Sequence, residues 1–231
     1  MSNSKLAIDD FIRFTSRTQG RDKIYRCLQY ACRFLVWYAY KTNSKERLIE
    51  KLQNIETSMS LTRKGMRLGR FIDYIKTALE SVHIRNTRMS VLFGLIAVCQ
   101  SLFMLFDNLL LLNRYKIIKL QNAQQYTKYL NEVWLLWLSL ALTRDWYEVN
   151  GLYKNNELMK SNKQTVVQKF RVFWNNKPLV IDTTKNLCDI YLPLSNLNFL
   201  PLHPGLQGLV GTISSVLGLL QLWDKQYQLP S

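Results

Sequence analysis

The chain has 231 residues, 48% of them hydrophobic and 12% aromatic, which excludes a low-complexity or disordered polypeptide. Lys and Arg outnumber Asp and Glu by 31 to 16, and the net charge of +15 favours a polyanionic partner, either nucleic acid or an anionic membrane surface. The four cysteines show no metal-ligand spacing, so we expect free thiols, no metal and no cofactor.

The first part of the chain has helical periodicity. It lacks the apolar stretch of a secretory signal, so we expect residues 1–88 to form a basic amphipathic helical region that faces the cytosol. Asn43-Ser44 is predicted to cap the second helix of this region. The apolar stripe of the helix before it consists of Ile24, Leu28, Ala31, Leu35 and Tyr38.

A second stripe predicts a basic amphipathic helix over Leu61–Leu79. Its apolar face consists of Leu61, Leu68, Ile72, Ile75 and Leu79, and its basic side of Arg63, Lys64, Arg67 and Arg70. Two interpretations are open. The apolar face packs against the Ile24–Tyr38 helix in an ordinary bundle, or it enters a leaflet while the cations contact anionic headgroups.

Residues 89–112 form an apolar helix and a possible first membrane span. Met89–Phe106 is uncharged and, as a helix, would be about 27 Å long, close to the hydrocarbon thickness. Asp107 is expected to mark the end of this segment or to pair with Arg114. Polar residues in and just after the apolar stretch also permit a pore: Gln100, Ser101, Asp107 and Asn108.

Residues 113–189 are predicted as a helical and loop region. The segment 133–142 carries two tryptophans and is too short to cross a bilayer, which suits an interfacial helix. Residues 154–177 are polar and basic, typical of a loop, although Val166 and the apolar residues after it permit a helix to restart there.

The clearest membrane signal lies near the C-terminal end. No Lys, Arg, Asp or Glu occurs from Ile190 to Trp223; prolines break the first part, including Pro193, and leave 205–223 as a transmembrane helix. Small residues at four-residue spacing predict close helix packing and self-association, although such residues are common in membrane helices generally. The residues expected at that contact are Gly208, Gly211, Ser215 and Gly218.

Four stretches in order resemble the peroxin eleven family of peroxisomal membrane proteins, and the resemblance covers nearly the full chain. They begin at Gly20, Ser60, Phe106 and Gly208, with the sequences GRDKIYRCLQYACRFL, SLTRKGMRLGR, FDNLLLL and GLVGTISSVLG. An Asn/Lys-rich segment replaces the long glycine-rich loop of some animal members, which leaves the subtype open.

The resemblance implies an all-α membrane protein with amphipathic N-terminal helices and one or two transmembrane helices. It implies that the chain elongates and tubulates the peroxisomal membrane before fission, with its N-terminus in the cytosol and Leu61–Leu79 inserted in the outer leaflet. It also implies self-association and partnership with a tail-anchored fission adaptor and a dynamin-related GTPase.

The sequence and the resemblance together leave three functions open. Membrane remodelling comes first, an oligomeric metabolite pore second, and a soluble nucleic-acid-binding protein third, which the uncharged C-terminal stretch disfavours. The sequence has none of the catalytic motifs for phosphate binding, metal-dependent hydrolysis or a serine nucleophile, so we expect no enzyme activity.

Overall fold

A computed structural model describes residues 3–155, 166–201 and 203–229, and these residues form helices and turns. The helices, in chain order, are α1 Asn3–Ser16, α2 Thr18–Lys41, α3 Glu46–Met66, α4 Phe71–Glu80, α5 Thr87–Arg114, α6 Ala123–Asn155, α7 Val166–Asn175, α8 Lys177–Asn196 and α9 Pro204–Trp223. Short 3₁₀ turns occupy Ser81–His83 and Lys225–Tyr227. The fold is all-α, as predicted.

Local chemistry explains where the two apolar helices begin. The Asn86 side chain accepts a hydrogen bond from the Arg88 backbone N–H at 3.1 Å, which satisfies one of the free donors at the start of α5. At α9, the His203 ring accepts from the Gly205 N–H at 3.3 Å, and Pro204 occupies the first turn, where its missing N–H costs nothing.

The predicted continuous helix over Leu61–Leu79 is wrong, because the chain turns between α3 and α4. Gly69 has φ +80, a left-handed conformation that glycine adopts without the steric cost that a side chain brings. The predicted cap at Asn43-Ser44 also differs. The helix begins at Glu46, after Asn43 has adopted a φ of 50 in the connecting turn.

Two further element predictions need correction. Segment 133–142 is the middle of the long helix α6, and Leu138 and Ala141 in it are buried, so it is not a separate interfacial helix. Pro193 lies inside α8 rather than ending the segment before it. Residues 156–165 of the predicted 154–177 loop lie outside the described part of the chain. Helix α7 begins at Val166, where the sequence permitted a helix to start again.

Six helices close into a ring. Around the ring α2 contacts α3, α3 contacts α5, α5 contacts α6, α6 contacts α8, α8 contacts α9, and α9 returns to α2. Helix α4 packs along α5, α1 contacts α2, and α7 contacts α6 and α8. Helix α2 lies lengthwise against the apolar helix α9, with Trp37, Phe34 and Tyr30 opposite Gly205, Gly208 and Gly211.

The ring has charged side chains on its inner side and an apolar outer surface on α5 and α9. Charged side chains are buried on its inner side, including Asp22, Arg26, Arg63, Asp107 and Asp189. Leu, Ile and Val side chains of α5 and α9 are exposed outside: Val91, Leu95, Val98, Leu102, Leu206, Leu209, Ile213, Val216 and Leu220. Water favours the opposite distribution, whereas lipid favours this one.

Within the described residues, two helices are long and apolar enough to cross a membrane, α5 and α9. At 1.5 Å per residue, the 20 residues of α9 extend about 30 Å, the thickness of a bilayer's hydrocarbon core. The predicted spans 89–112 and 205–223 thus correspond to observed helices with nearly the same bounds.

Candidate membrane interface and ionic interior

Helix α4 and the turn before it present an uncovered apolar face. Leu68 is 54% exposed, Ile72 60%, Ile75 46% and Leu79 68%, and Val82 just beyond the helix is 72% exposed. Leu61, the fifth residue predicted for this face, is half-buried on α3. The predicted packing of this face against α2 is therefore not observed for its α4 part, which faces away from the bundle.

The opposite side of α4 is fixed to α5. Ser101 Oγ donates a hydrogen bond to the Phe71 carbonyl at 3.0 Å, and Ser90 Oγ donates to the Ser81 carbonyl at 2.8 Å. Phe71 and Tyr74 pack against the buried cluster that contains Phe103. The exposed face is thus carried on a helix whose orientation is set by two hydrogen bonds and an aromatic contact.

The predicted basic side of the segment points into the ring. Arg63 Nε lies 3.2 Å from Asp22 Oδ1, and Arg63 also donates to Gln29 Oε1 at 2.7 Å. Lys64 Nζ lies 2.9 Å from Asp107 Oδ1. Arg67 lies 3.0 Å from Asp107 and 3.7 Å from Asp22. These three cations pair with carboxylates of the same chain, on the inner side, rather than projecting beside the apolar face as the sequence predicted.

Arg70 is the fourth cation of that prediction. Its Nε lies 3.9 Å from Asp73 Oδ2, and its guanidinium stands 5.8 Å from the centroid of the Tyr74 ring. Three other cations are exposed in this part of the chain: Lys76, Arg85 and Arg88. Contact of Arg63, Lys64, Arg67 and Arg70 with anionic headgroups stays a prediction.

Asp107 has different partners from the one expected. Helix α5 continues through Asp107 to Arg114, so the carboxylate does not mark the end of the apolar helix. It pairs with Lys64 and Arg67 and not with Arg114. Ser101 also has a partner, because its hydroxyl donates to the Phe71 carbonyl. Of the four residues that permitted a pore, Ser101 and Asp107 are therefore paired inside the chain.

The small-residue face of α9 is covered by α2. An added Cβ would stand 2.5 Å from the Phe34 backbone nitrogen at Gly208, 2.3 Å from the Tyr30 ring at Gly211, and 3.3 Å from Lys23 at Gly218. Ser215 is fully buried and bonds to the Gly211 carbonyl. The prediction of close helix packing is right, but the partner is the chain's own α2. A second copy cannot use this face while α2 occupies it.

Two further groups of buried charges hold α8 in the ring. Arg26 of α2 and Ser214 of α9 both donate to Asp189. Arg144 of α6 bridges Asp145 and Asp182, and Asn186 donates to Asp145 Oδ2 at 2.9 Å. These buried charged residues were not predicted from the sequence. A usable signal was the polar stripe on α2 at Asp22, Arg26 and Gln29, spaced by four and three residues.

A cavity of about 590 Å³ lies inside the ring. Its aromatic and apolar wall includes Phe103, Leu130, Trp134 and Trp137 of α5 and α6. Three carboxylates line it, Asp22, Asp107 and Asp189. Seven cations line it: Lys23, Arg26, Arg63, Lys64, Arg67, Arg70 and Arg114. The cavity therefore has four more positive than negative side chains.

The pKa values of two lining cations reflect this crowding. Burial lowers the pKa of Lys23 to about 7, and the nearby cations Arg26 and Lys185 lower it further. Burial, together with the positive charge of Arg67, lowers the pKa of Arg63 to about 10. For both groups these effects outweigh the attraction of the nearby carboxylates.

The sequence profile of the family "Peroxisomal biogenesis factor 11 (PEX11)" matches residues 8–223. The chain belongs to this family. The match includes every ring helix of the PEX11 fold described above, from α2 to α9, and the α3–α4 segment with its exposed apolar face. The resemblance seen in the sequence is confirmed.

Curated relatives agree over nearly their whole length. The human "Peroxisomal membrane protein 11A" is 28% identical over 96% of this chain and 99% of its own length. The human "Peroxisomal membrane protein 11B" is 24% identical over 93% and 96%. The Candida boidinii "Peroxisomal membrane protein PMP30B" is 24% identical over 94% of each chain. No solved structure gives a significant match.

Proposed function

We propose that this PEX11-family chain acts without catalysis in peroxisome biogenesis, by inserting the exposed apolar face of α4 into one leaflet of the peroxisomal membrane. The names of the relatives and the two apolar helices support a location in that membrane. The observation that carries the proposal is the exposed row from Leu68 to Leu79 on a helix fixed to the candidate span α5.

The exposed face supplies enough free energy to hold α4 at the interface. Full burial of a Leu, Ile or Val side chain is worth about 1.5–3 kcal/mol, and side chains already half covered gain about 1 kcal/mol each. Five such residues therefore contribute about 5 kcal/mol on entering lipid. The exposed cations Arg85 and Arg88 add attraction to anionic headgroups, whereas Lys76 lies 3.6 Å from Glu80 and is offset by it.

The anchoring of the chain in the bilayer allows the insertion of α4 to bend the membrane. The α5 and α9 helices hold the chain in the bilayer, and α4 fills area in one leaflet only, so each inserted chain expands that leaflet relative to the other. Many chains together favour a curved tube over a flat sheet. Elongation of the organelle before fission follows from this asymmetry.

The small-residue face of α9 is not available to a binding partner. This holds for a second copy of the chain, a fission adaptor and a dynamin-related GTPase. Because α2 fills the positions of Gly208, Gly211, Ser215 and Gly218, we place any self-association and any such partner on the outward side of the ring.

The test reconstitutes the purified full-length chain in liposomes that contain anionic lipid and measures tube formation by electron microscopy. The double substitution Ile72→Ser with Ile75→Ser should abolish most tubes. The double substitution of the same positions to Leu keeps an apolar face and should retain them. Both variants should stay in membranes after carbonate extraction, because the spans are untouched. Equal tubulation by the Ser and Leu variants would contradict the proposal.

A further inference from the structure

More cations than carboxylates line the ring cavity. Of the cations that line it, Arg26, Arg63, Lys64 and Arg67 already share the three lining carboxylates. Lys23 and Arg114 also line the cavity and add to the positive excess. Lys23 is half-buried and Arg114 is exposed, whereas Arg26 and Arg63 are buried. Like charges held close together repel one another, most strongly where they are buried, and an anion relieves this repulsion.

The cavity has the size and the two-sided lining of a ligand site. A volume of about 590 Å³ is within the range of small-molecule pockets. One side is formed by guanidinium and ammonium groups of α2, α3 and the turn before α4. The other side is formed by aromatic and aliphatic side chains of α5 and α6, among them Trp134 and Trp137. Such a lining selects a molecule with an anionic group at one end and apolar character at the other.

The cationic side is suited to phosphate. Arg63 and Arg67 present planar, multiply donating guanidinium groups, and their side chains are 10% and 12% exposed. Charge-assisted bonds from several such donors are the usual means of binding a group with two negative charges. We propose that the ring cavity binds one phosphate-bearing anion, either the headgroup of a membrane lipid or a soluble phosphorylated compound.

This site is distinct from the apolar face of α4, which points away from the ring. The bound anion attracts cations of α2, α3 and α5 at the same time. It therefore holds these three helices together. A chain without the anion is therefore less stable than a chain with it. The proposal does not depend on membrane bending, and either one can fail alone.

The test measures thermal unfolding of the full-length chain in nanodiscs. In the first arm, the discs contain only phosphatidylcholine and pyrophosphate is added, with sodium chloride at equal ionic strength as the reference. In the second arm, the discs contain phosphatidic acid and no pyrophosphate. At saturation we expect the unfolding midpoint to rise by about 5 °C or more in at least one arm, and the responding arm identifies the source of the phosphate.

Matched variants separate the cavity from the surface. Lys23→Gln removes a cation that lines the cavity, and Lys76→Gln removes one whose side chain is 76% exposed. Lys23→Gln should lose at least half of the midpoint rise, whereas Lys76→Gln should keep it. Without any anion, and at pH 6, where Lys23 with its pKa of about 7 is mostly protonated, Lys23→Gln should unfold at a higher temperature than the natural chain, because the substitution relieves repulsion. A purely structural lysine would give a lower temperature.

Two results would overturn the proposal. The first is no rise of the midpoint in either arm with the natural chain. The second is an equal rise in Lys23→Gln and Lys76→Gln, which assigns the effect to phosphate bound on the protein surface.

Discussion

Replacement of Gly211 by Ala should destabilise the folded monomer. The new Cβ would stand 2.3 Å from Cδ1 of Tyr30, whereas carbon atoms in contact lie about 3.5–4.0 Å apart. Tyr30 is only 7% exposed and stands between the guanidinium groups of Arg26 and Arg33, with distances of 5.6 and 5.3 Å to its ring centroid. The ring therefore cannot move aside without displacing buried neighbours, and α2 must separate from α9.

The expected cost follows from the size of this overlap. Overpacking of a buried site costs about 1–3 kcal/mol, and we expect the upper end because the clash exceeds 1 Å and involves a ring. For a chain of this length, each kcal/mol lowers the unfolding midpoint by about 2–4 °C, so a loss of about 6–12 °C is expected. Tryptophan fluorescence of the detergent-solubilised protein during heating measures it.

The same experiment distinguishes this packing from self-association. Gly65→Ala is the control, because nothing lies within 4 Å of its added Cβ and Ala favours a helix by about 1 kcal/mol over Gly. The control should unfold no earlier than the natural chain. If Gly211→Ala left the midpoint unchanged and instead abolished oligomers on native gels, the intramolecular role of the glycine face would be refuted.

Three other substitutions test the interior and the turn. Asp107→Asn should lower the free energy of unfolding by about 3 kcal/mol, since Arg67, 12% exposed, and the half-buried Lys64 both lose their partner. Asp73→Asn, with a side chain 74% exposed, should change it by less than about 0.5 kcal/mol, and denaturant unfolding in detergent compares the two variants. Gly69→Ala should cost about 1 kcal/mol because of its φ of +80, opposite in sign to Gly65→Ala in the same assay. Ser214→Ala should cost about 1–3 kcal/mol by removing a buried hydrogen bond to a carboxylate, and faster amide exchange in α8 would show the site of loosening.

The apolar helices were predictable because their signal is local. A run of uncharged residues of the right length defines α9, and the sequence prediction of 205–223 differs from Pro204–Trp223 by one residue. The α5 prediction of 89–112 is similarly close to Thr87–Arg114. Hydrophobicity and length are properties of each segment alone, so no knowledge of its neighbours is needed.

The turn at Gly69 and the pairing of the charges depend on distant residues. Gly65 and Gly69 both weaken a helix, and only the docking of α4 on α5 determines that the chain turns at the second. No local sequence pattern relates Lys64 to Asp107, because the two residues lie on different helices. Four of the five apolar residues of the predicted stripe are exposed on α4 and the turn before it, and their insertion into lipid stays a prediction. Arg63, Lys64 and Arg67 point inward because Asp22 and Asp107 lie there.

The identity of the partner of α9 also lay beyond the sequence. Small residues at four-residue spacing specify a close helix contact, and the same face serves a second copy or another helix of the same chain. In the folded chain this face is taken by α2, with the Tyr30 ring opposite Gly211 and the Phe34 backbone opposite Gly208.

The contact between α2 and α9 joins helices from opposite ends of the matched region. Until α9 leaves the ribosome, the Tyr30 ring of α2 lacks its contact with Gly211, and Arg26 lacks the complete Asp189–Ser214 pair beside it. The ring therefore closes only after synthesis of α9.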